Sequence, residues 1–253
     1  MNVLAVVAHP DDIEFVMAGT LLLLAERGWK THYFNIANGC LGSMSTDRTE
    51  TARIRLMESR NAAKLLGAEF YSPICDDMDI QYSRENLARV LSVMRTANPT
   101  IVLTHSPIDY MEDHEISCRL AVSAAFGKNM PNFESIPPVA ATTHPVAIYH
   151  AQPHGNQTPL MEPVIPDLFV NIESVLSKKR AMLECHKSQQ VWLDTTQDMS
   201  SYVETMFDLG KQVGAMSRRF AIAEGWRRHS PLGFGPSDFD PLGHALSDVS
   251  CRL

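Results

Sequence analysis

The chain has 253 residues, 45% of them hydrophobic and 20% charged, with a formal net charge of −7. That size suits one globular domain with a large core, and the acidic balance argues against general affinity for nucleic acid or an anionic membrane surface. Five scattered cysteines, Cys40, Cys75, Cys118, Cys185 and Cys251, lack CxxC spacing, which predicts free thiols in a reducing, cytoplasmic setting.

The first predicted strand is the apolar run Val3–Ala8, followed by a helix over Ile13–Arg27. No positively charged segment precedes that strand, so no secretion leader is expected. The apolar stretch Leu21–Ala25 is too short to cross a bilayer. A second strand follows at Thr31–Ala37, then a long helix at Asp47–Leu66 with Gly67 as its C-cap. A short strand at Glu69–Ile74, a helix at Arg84–Ala97, a strand at Thr100–Thr104 and a helix from about Asp113 to Phe126 complete the first half. Strand–helix alternation of this kind predicts an α/β fold, a Rossmann-like and mostly parallel sheet with helices on both faces. The core spans about 1–126. Residues 127–253 read as an elaborated, loop-rich and helical C-terminal part of the same single domain. Eight prolines fall between Gly127 and Pro166, around one strand-like run at Pro145–His150. Helices are expected again at Glu173–Lys187 and Ser200–Arg219, and an extended arm after Gly225.

Two polar clusters stand at predicted strand ends. The first is Ala8-His9-Pro10-Asp11-Asp12-Ile13-Glu14. One aspartate there would serve as a helix cap; two consecutive aspartates after a histidine exceed that need, and buried carboxylates must be paired or bind metal. The second runs from His105 to Glu115 and contains Asp109, Tyr110, Asp113 and His114. The carboxyl ends of strands are where open α/β sheets bind their ligands. His9, Asp12 and His114 together supply a His/Asp/His set suited to one zinc or another divalent metal, with a position left for water. Asp11 stays free beside it. The first strand–helix turn has no glycine cluster for a pyrophosphate, and its two carboxylates would repel one.

His9-Pro10-Asp11-Asp12-x-Glu14 resembles the signature of the PIG-L/LmbE-like deacetylases, zinc hydrolases that remove acetyl from N-acetylglucosamine-type sugars. Asn38-Gly39-Cys40-Leu41-Gly42 is similar to that family's glycine-bearing loop, and the Arg55 to Gly67 stretch to its second-helix pattern. Asp77, Asp113-His114, His186-Lys187-Ser188-Gln189 and Ala223-Glu224-Gly225-Trp226-Arg227 continue the resemblance along the chain. The resemblance implies His9, Asp12 and His114 as zinc ligands and Asp11 as general base. It also implies Arg55 and Asp77 as contacts to substrate hydroxyls or anionic groups, with Glu14 either binding substrate or bracing its helix. Asp113 would orient a ligating imidazole from behind.

One departure stands out. Met111 occupies the place of a family histidine that stabilises the tetrahedral oxyanion, and methionine cannot donate a hydrogen bond. His186, Tyr110, His105 and His154 are the candidate substitutes, with His186 first because its own motif is intact. Trp192 and Trp226 are candidates for a sugar-stacking wall. The expected function is removal of an N-acetyl group from a small amino sugar or glycoconjugate. The alternatives are a zinc amidase acting on a larger acyl or thiol-conjugate amide, and a non-catalytic α/β ligand-binding module. No nucleic-acid partner or membrane span is expected, and association into homo-oligomers is left open.

Overall fold

The computed structural model describes residues 1–190 and 202–253. β1 (Asn2–Val7) forms because Val3 to Val7 is uniformly apolar, and all five residues are fully buried. A strand covered on both faces and paired on both edges carries such a run. β1 lies between β2 (Lys30–Asn35) and β4 (Ile101–Thr104), parallel to each. β3 (Glu69–Tyr71) extends the sheet beyond β2, and β5 (Ala147–Ala151) lies beyond β4, again in parallel. The order β3-β2-β1-β4-β5 reverses direction between β1 and β4, and a crevice opens there at the carboxyl ends.

Alternate residues of β1 face opposite layers. Val3, Ala5 and Val7 pack with α2 (Ala18–Glu26), α3 (Arg48–Leu66) and α6 (Leu176–Leu183). Leu4, Val6 and Ala8 pack with α4 (Arg84–Ala97) and α5 (Glu112–Gly127). The long helices obey local rules. Asp47 caps α3 by accepting from the Glu50 amide, and Gly67 ends it at φ 77°. Ser83 caps α4 through the Asn86 amide. No helix among the described residues is long and apolar enough to cross a membrane.

Three expectations change. The helix expected over Ile13–Arg27 is broken at Met17 into α1 (Asp12–Val16) and α2. The break is stabilised from outside: Glu224 accepts from the Gly19 amide at 2.8 Å and the Thr20 amide at 2.7 Å, capping α2 with a distant side chain. Lys179 Nζ neutralises that carboxylate at 2.6 Å. Second, the tail is no arm. β7 (Ala223–Arg228) inserts antiparallel between β5 and β6 (Leu168–Asn171), and β8 (Ser250–Arg252) edges the sheet after the short α8 (Pro241–Ala245). Third, Trp226 is a core residue and no stacking wall. It is fully buried and its indole donates to Thr20 Oγ1 at 2.9 Å. Trp192 lies outside the described residues, as do the first two positions of the helix expected from Ser200. That helix is seen as α7 (Tyr202–Ser217).

Candidate active site

A cavity of about 220 Å³ fills the crevice. Its polar floor comes from two strand ends. After β1 the chain turns through Asp11 at φ 98°, a left-handed conformation that Asp tolerates better than most side chains. Such a residue stores on the order of 1–3 kcal/mol of strain, to be balanced by its surroundings. The Asp12 carboxylate folds back to accept the His9 amide at 2.7 Å, so the two adjacent carboxylates diverge.

After β4, His114 enters on the first turn of α5. Its Nε2 lies 3.4 Å from Asp12 Oδ1, while Nδ1 lies 3.0 Å from Asp109 Oδ1. His9 is arranged alike: Nδ1 is 3.7 Å from Asp12 Oδ2 and Nε2 is 2.9 Å from Asp113 Oδ2. Asp113 also accepts the Met78 amide at 2.8 Å. Ligand atoms of His9, Asp12 and His114 all fall within 4.8 Å of one another. Each imidazole thus turns one nitrogen toward a shared point and has a carboxylate behind the other, the usual arrangement around a metal-ligating histidine. The donor set fits a divalent cation of the zinc type.

The electrostatics agree with that fit. Burial alone would raise Asp12, but the neighbouring His114 and His105 hold its carboxyl well below the ordinary range. Burial disfavours a charge on His114, yet Asp12 and the hydrogen bond to Asp109 hold its pKa up to about 10. His105 stacks on His114 with centroids 4.0 Å apart. Burial and the His114 charge push His105 down, since two stacked imidazoles do not both ionise readily. His105 Nε2 accepts the Ala8 amide at 2.9 Å, tying the two strand ends together.

Asp11 lines the cavity with its Oδ2 held by two groups, Arg55 Nη2 at 3.3 Å and the Tyr202 hydroxyl at 2.5 Å. Burial raises its pKa; Arg55 opposes this, Asp12 reinforces it, and His186 and the Tyr202 hydroxyl oppose it, with a net rise. Arg55 is buried and also donates to the Pro10 carbonyl, while the Glu58 carboxylate accepts the Ser188 amide and hydroxyl. Gly39, at φ 77°, lets the loop backbone lie against Arg55: a Cβ there would sit 2.5 Å from Arg55 Cδ. Asp77 reaches the cavity wall, but both its oxygens are taken by loop amides, Gly39 at 2.7 Å and Leu41 at 2.9 Å.

Two expected site residues stand elsewhere. His186 is fully buried behind the wall with Nε2 3.2 Å from Glu14 Oε2, and it does not line the cavity. Glu14 is equally buried and receives the Tyr33 hydroxyl at 3.0 Å. Among the described residues, Glu14 and His186, expected as substrate contact and oxyanion donor, face each other behind the cavity wall and do not line it. Sequence reasoning also missed Asp109 and Tyr202. Asp109 was visible as one of several acids near His114 in sequence. Tyr202, far along the chain, carried no signal. Phe15, Leu41, Met78, Tyr110 and Met111 supply an apolar wall, and Gln152, His154 and Gln189 close the far side.

Comparison with known proteins agrees with this architecture. The family model described as PIG-L, GlcNAc-PI de-N-acetylase, matches residues 4–126. A diacetylchitobiose deacetylase from Thermococcus kodakarensis is 26% identical over 204 residues, 76% of this chain and 72% of that protein. A 4-oxalmesaconate hydratase from Pseudomonas putida is 29% identical over 201 residues, 75% of this chain and 74% of that protein. The crystal structure of N,N'-diacetylchitobiose deacetylase from Pyrococcus horikoshii superposes with a TM-score of 0.75 at 23% identity, covering 95% of this chain and 88% of that one. The matched residues 4–126 carry both strand ends and the His9, Asp12 and His114 cluster, so the likeness to the PIG-L family model covers the part of the chain that builds the crevice.

Proposed function

We propose that this protein is a metal-dependent hydrolase that removes an N-acetyl group from a small amino sugar or glycoconjugate, with 1–253 acting as one domain. The observation that carries the reading is the Asp11 carboxylate, held through one oxygen by Arg55 and Tyr202, beside a His9/Asp12/His114 set whose outer nitrogens are held by Asp113 and Asp109. His9, Asp12 and His114 would hold a zinc ion, and when bound it would supply a Lewis acid to lower the pKa of water and polarise an acyl carbonyl. The remaining work falls to the chain. Asp11 accepts a proton from the attacking water through the oxygen that Arg55 and Tyr202 leave open, and returns it to the departing amine nitrogen. The products are acetate and a free amine. Arg55 and Tyr202 hold Asp11 in place, and the apolar wall of Phe15, Leu41 and Met111 limits entry of bulk water.

A second reading has its own support. The relative named as a hydratase matches this chain about as fully as the deacetylase does, and Arg55 brings a buried cation to the cavity that suits a carboxylate. One experiment separates the two. Purified protein with zinc supplied is screened for amine release from N-acetylated sugars and glycosides, and in parallel for loss of ultraviolet absorbance from conjugated enol carboxylates. Amine release that is abolished by Asp11→Asn supports the hydrolase. Absorbance loss without amine release rejects it.

A further inference from the structure

Resting on the N-acyl hydrolase reading, we propose that His154 is the oxyanion donor that stands in for the histidine missing at Met111. The oxyanion forms when hydroxide adds to the acyl carbon and the carbonyl π pair moves onto oxygen; it disappears when that pair returns and the C–N bond breaks. A donor for it must reach the same crevice as His9 and Asp12 without being one of the ligands.

His154 meets these requirements through the topology. β5 runs parallel to β4, so the residues following Ala151 emerge at the same sheet edge as the segments after β1 and β4. Gln152 and His154 line the cavity as a result. The turn is fixed on both sides of the histidine. Gln152 Nε2 donates to the Val164 carbonyl at 2.7 Å, and Asn156 Nδ2 donates to the Leu209 carbonyl at 3.2 Å and to Gln212 Oε1 at 3.1 Å. Gly155, at φ 83°, lets the chain reverse between them. The imidazole is wedged between Phe15 and Tyr110, with centroids 5.6 and 5.8 Å away, and Tyr110 in turn stands edge-on to His114 at 5.5 Å.

Among the described residues, the contacts of the His154 ring are the aromatic ones to Phe15 and Tyr110. Burial lowers its pKa from the ordinary value, which favours the neutral ring with one N–H to offer. The other histidines at the cavity are committed: His9 and His114 face Asp12, and His105 Nε2 takes the Ala8 amide. A fixed donor loses no reorganisation energy as the charge develops, which is why such groups matter in the transition state.

The test combines kinetics with binding. His154→Ala should lower kcat by about 10²-fold, the scale of losing one oxyanion donor, with KM changed little. Zinc content and melting temperature should be unchanged, and affinity for a methylphosphonamidate analogue of the tetrahedral intermediate should fall by a similar factor while affinity for the amine product holds. His154→Gln, which keeps an N–H donor, should recover part of the loss, and Met111→His in the His154→Ala background should restore at least about tenfold. Wild-type kcat and analogue affinity in His154→Ala would overturn the proposal, as would a loss traced to missing zinc or early melting. If the wild-type enzyme releases no amine from any acetamide, the hydrolase reading itself falls and this inference with it.

Discussion

Arg55 Nη2 lies 3.3 Å from Asp11 Oδ2 while the same guanidinium donates to the Pro10 carbonyl. One side chain from α3 thus holds both the carboxylate and the backbone of the strained turn that presents it. The pair has a consequence for pH. The Arg55 charge stabilises ionised Asp11 against a burial effect that raises its pKa, so removing the charge raises the pKa further. For Arg55→Met, the acid limb of kcat/KM should move to higher pH, with activity at neutral pH down roughly 10-fold or more. A limb that stays put or moves to lower pH would detach Arg55 from Asp11 in function.

The carboxylates behind the imidazoles make a second prediction. Asp113→Asn and Asp109→Asn should each weaken zinc by about 10–100-fold, the usual cost of disturbing such a partner. His9→Ala, Asp12→Ala and His114→Ala should lose the metal outright, whereas Asp11→Asn should keep it and lose about 10²–10⁴ in rate as a proton-transfer group. Competition with a coloured chelator measures zinc affinity in these six variants and in Asp12→Asn. Zinc lost from Asp11→Asn but kept in Asp12→Asn would exchange the roles assigned to the two aspartates.

Metal binding should also release a proton. In the metal-free protein His114 holds its proton up to a pKa of about 10, and a ligating imidazole nitrogen must give it up. Titrating zinc into metal-free protein at pH 8, in two buffers of different ionisation enthalpy, should show close to one proton displaced. The result should be absent in His114→Ala. No release from the wild type would remove His114 from the ligand set.

Acid stability has a separate origin on the other side of β4. Burial drives His150 from its ordinary 6.5 down to about 4, as His105 O and His229 fix its two nitrogens. A depressed histidine pKa means that the unfolded chain binds a proton the folded chain refuses. Stability is therefore lost as pH falls from about 6.5 toward 4, by on the order of 3 kcal/mol at the lower end. Urea unfolding of wild type and His150→Asn at pH 7.5 and 4.5 should show a shallower pH dependence in the variant. Equal slopes would place the acid sensitivity elsewhere.

Much of this was legible in the sequence because local rules sufficed. Val3–Val7 could only be a strand buried on both faces, and Gly67 marked a helix end that the structure keeps. The parallel order then brought His9, Asp12 and His114 together, because strand ends share one edge. What escaped depended on long-range contacts. β6 to β8 are short and antiparallel, and Glu224 and Gly225 in β7 carry no strand pattern; their pairing is decided by β5 and by the α2 amides. His186 sat in an intact motif, yet its partner is Glu14, a buried residue near the first cluster, and motif spacing does not reveal that pairing. Tyr202 reaches Asp11 from a helix whose sequence shows only that it is amphipathic.

Glu224, last in sequence among the residues that shape the catalytic turn, ties two ends of the protein into one assembly. The segment that the family model matches stops at residue 126, before β7 begins. Severed there, the chain would expose the Gly19 and Thr20 amides and leave α1 without its anchored continuation, so the fragment would not present Asp11 and Asp12 in register. Conversely, co-expressing 1–126 with 127–253 as separate halves offers a complementation assay: activity should return only when the second half carries Glu224 and Lys179 together. The C-terminal half is therefore a splint for the catalytic turn, and insertions between Gly127 and Pro145 should be tolerated far better than any shift in the register of β7.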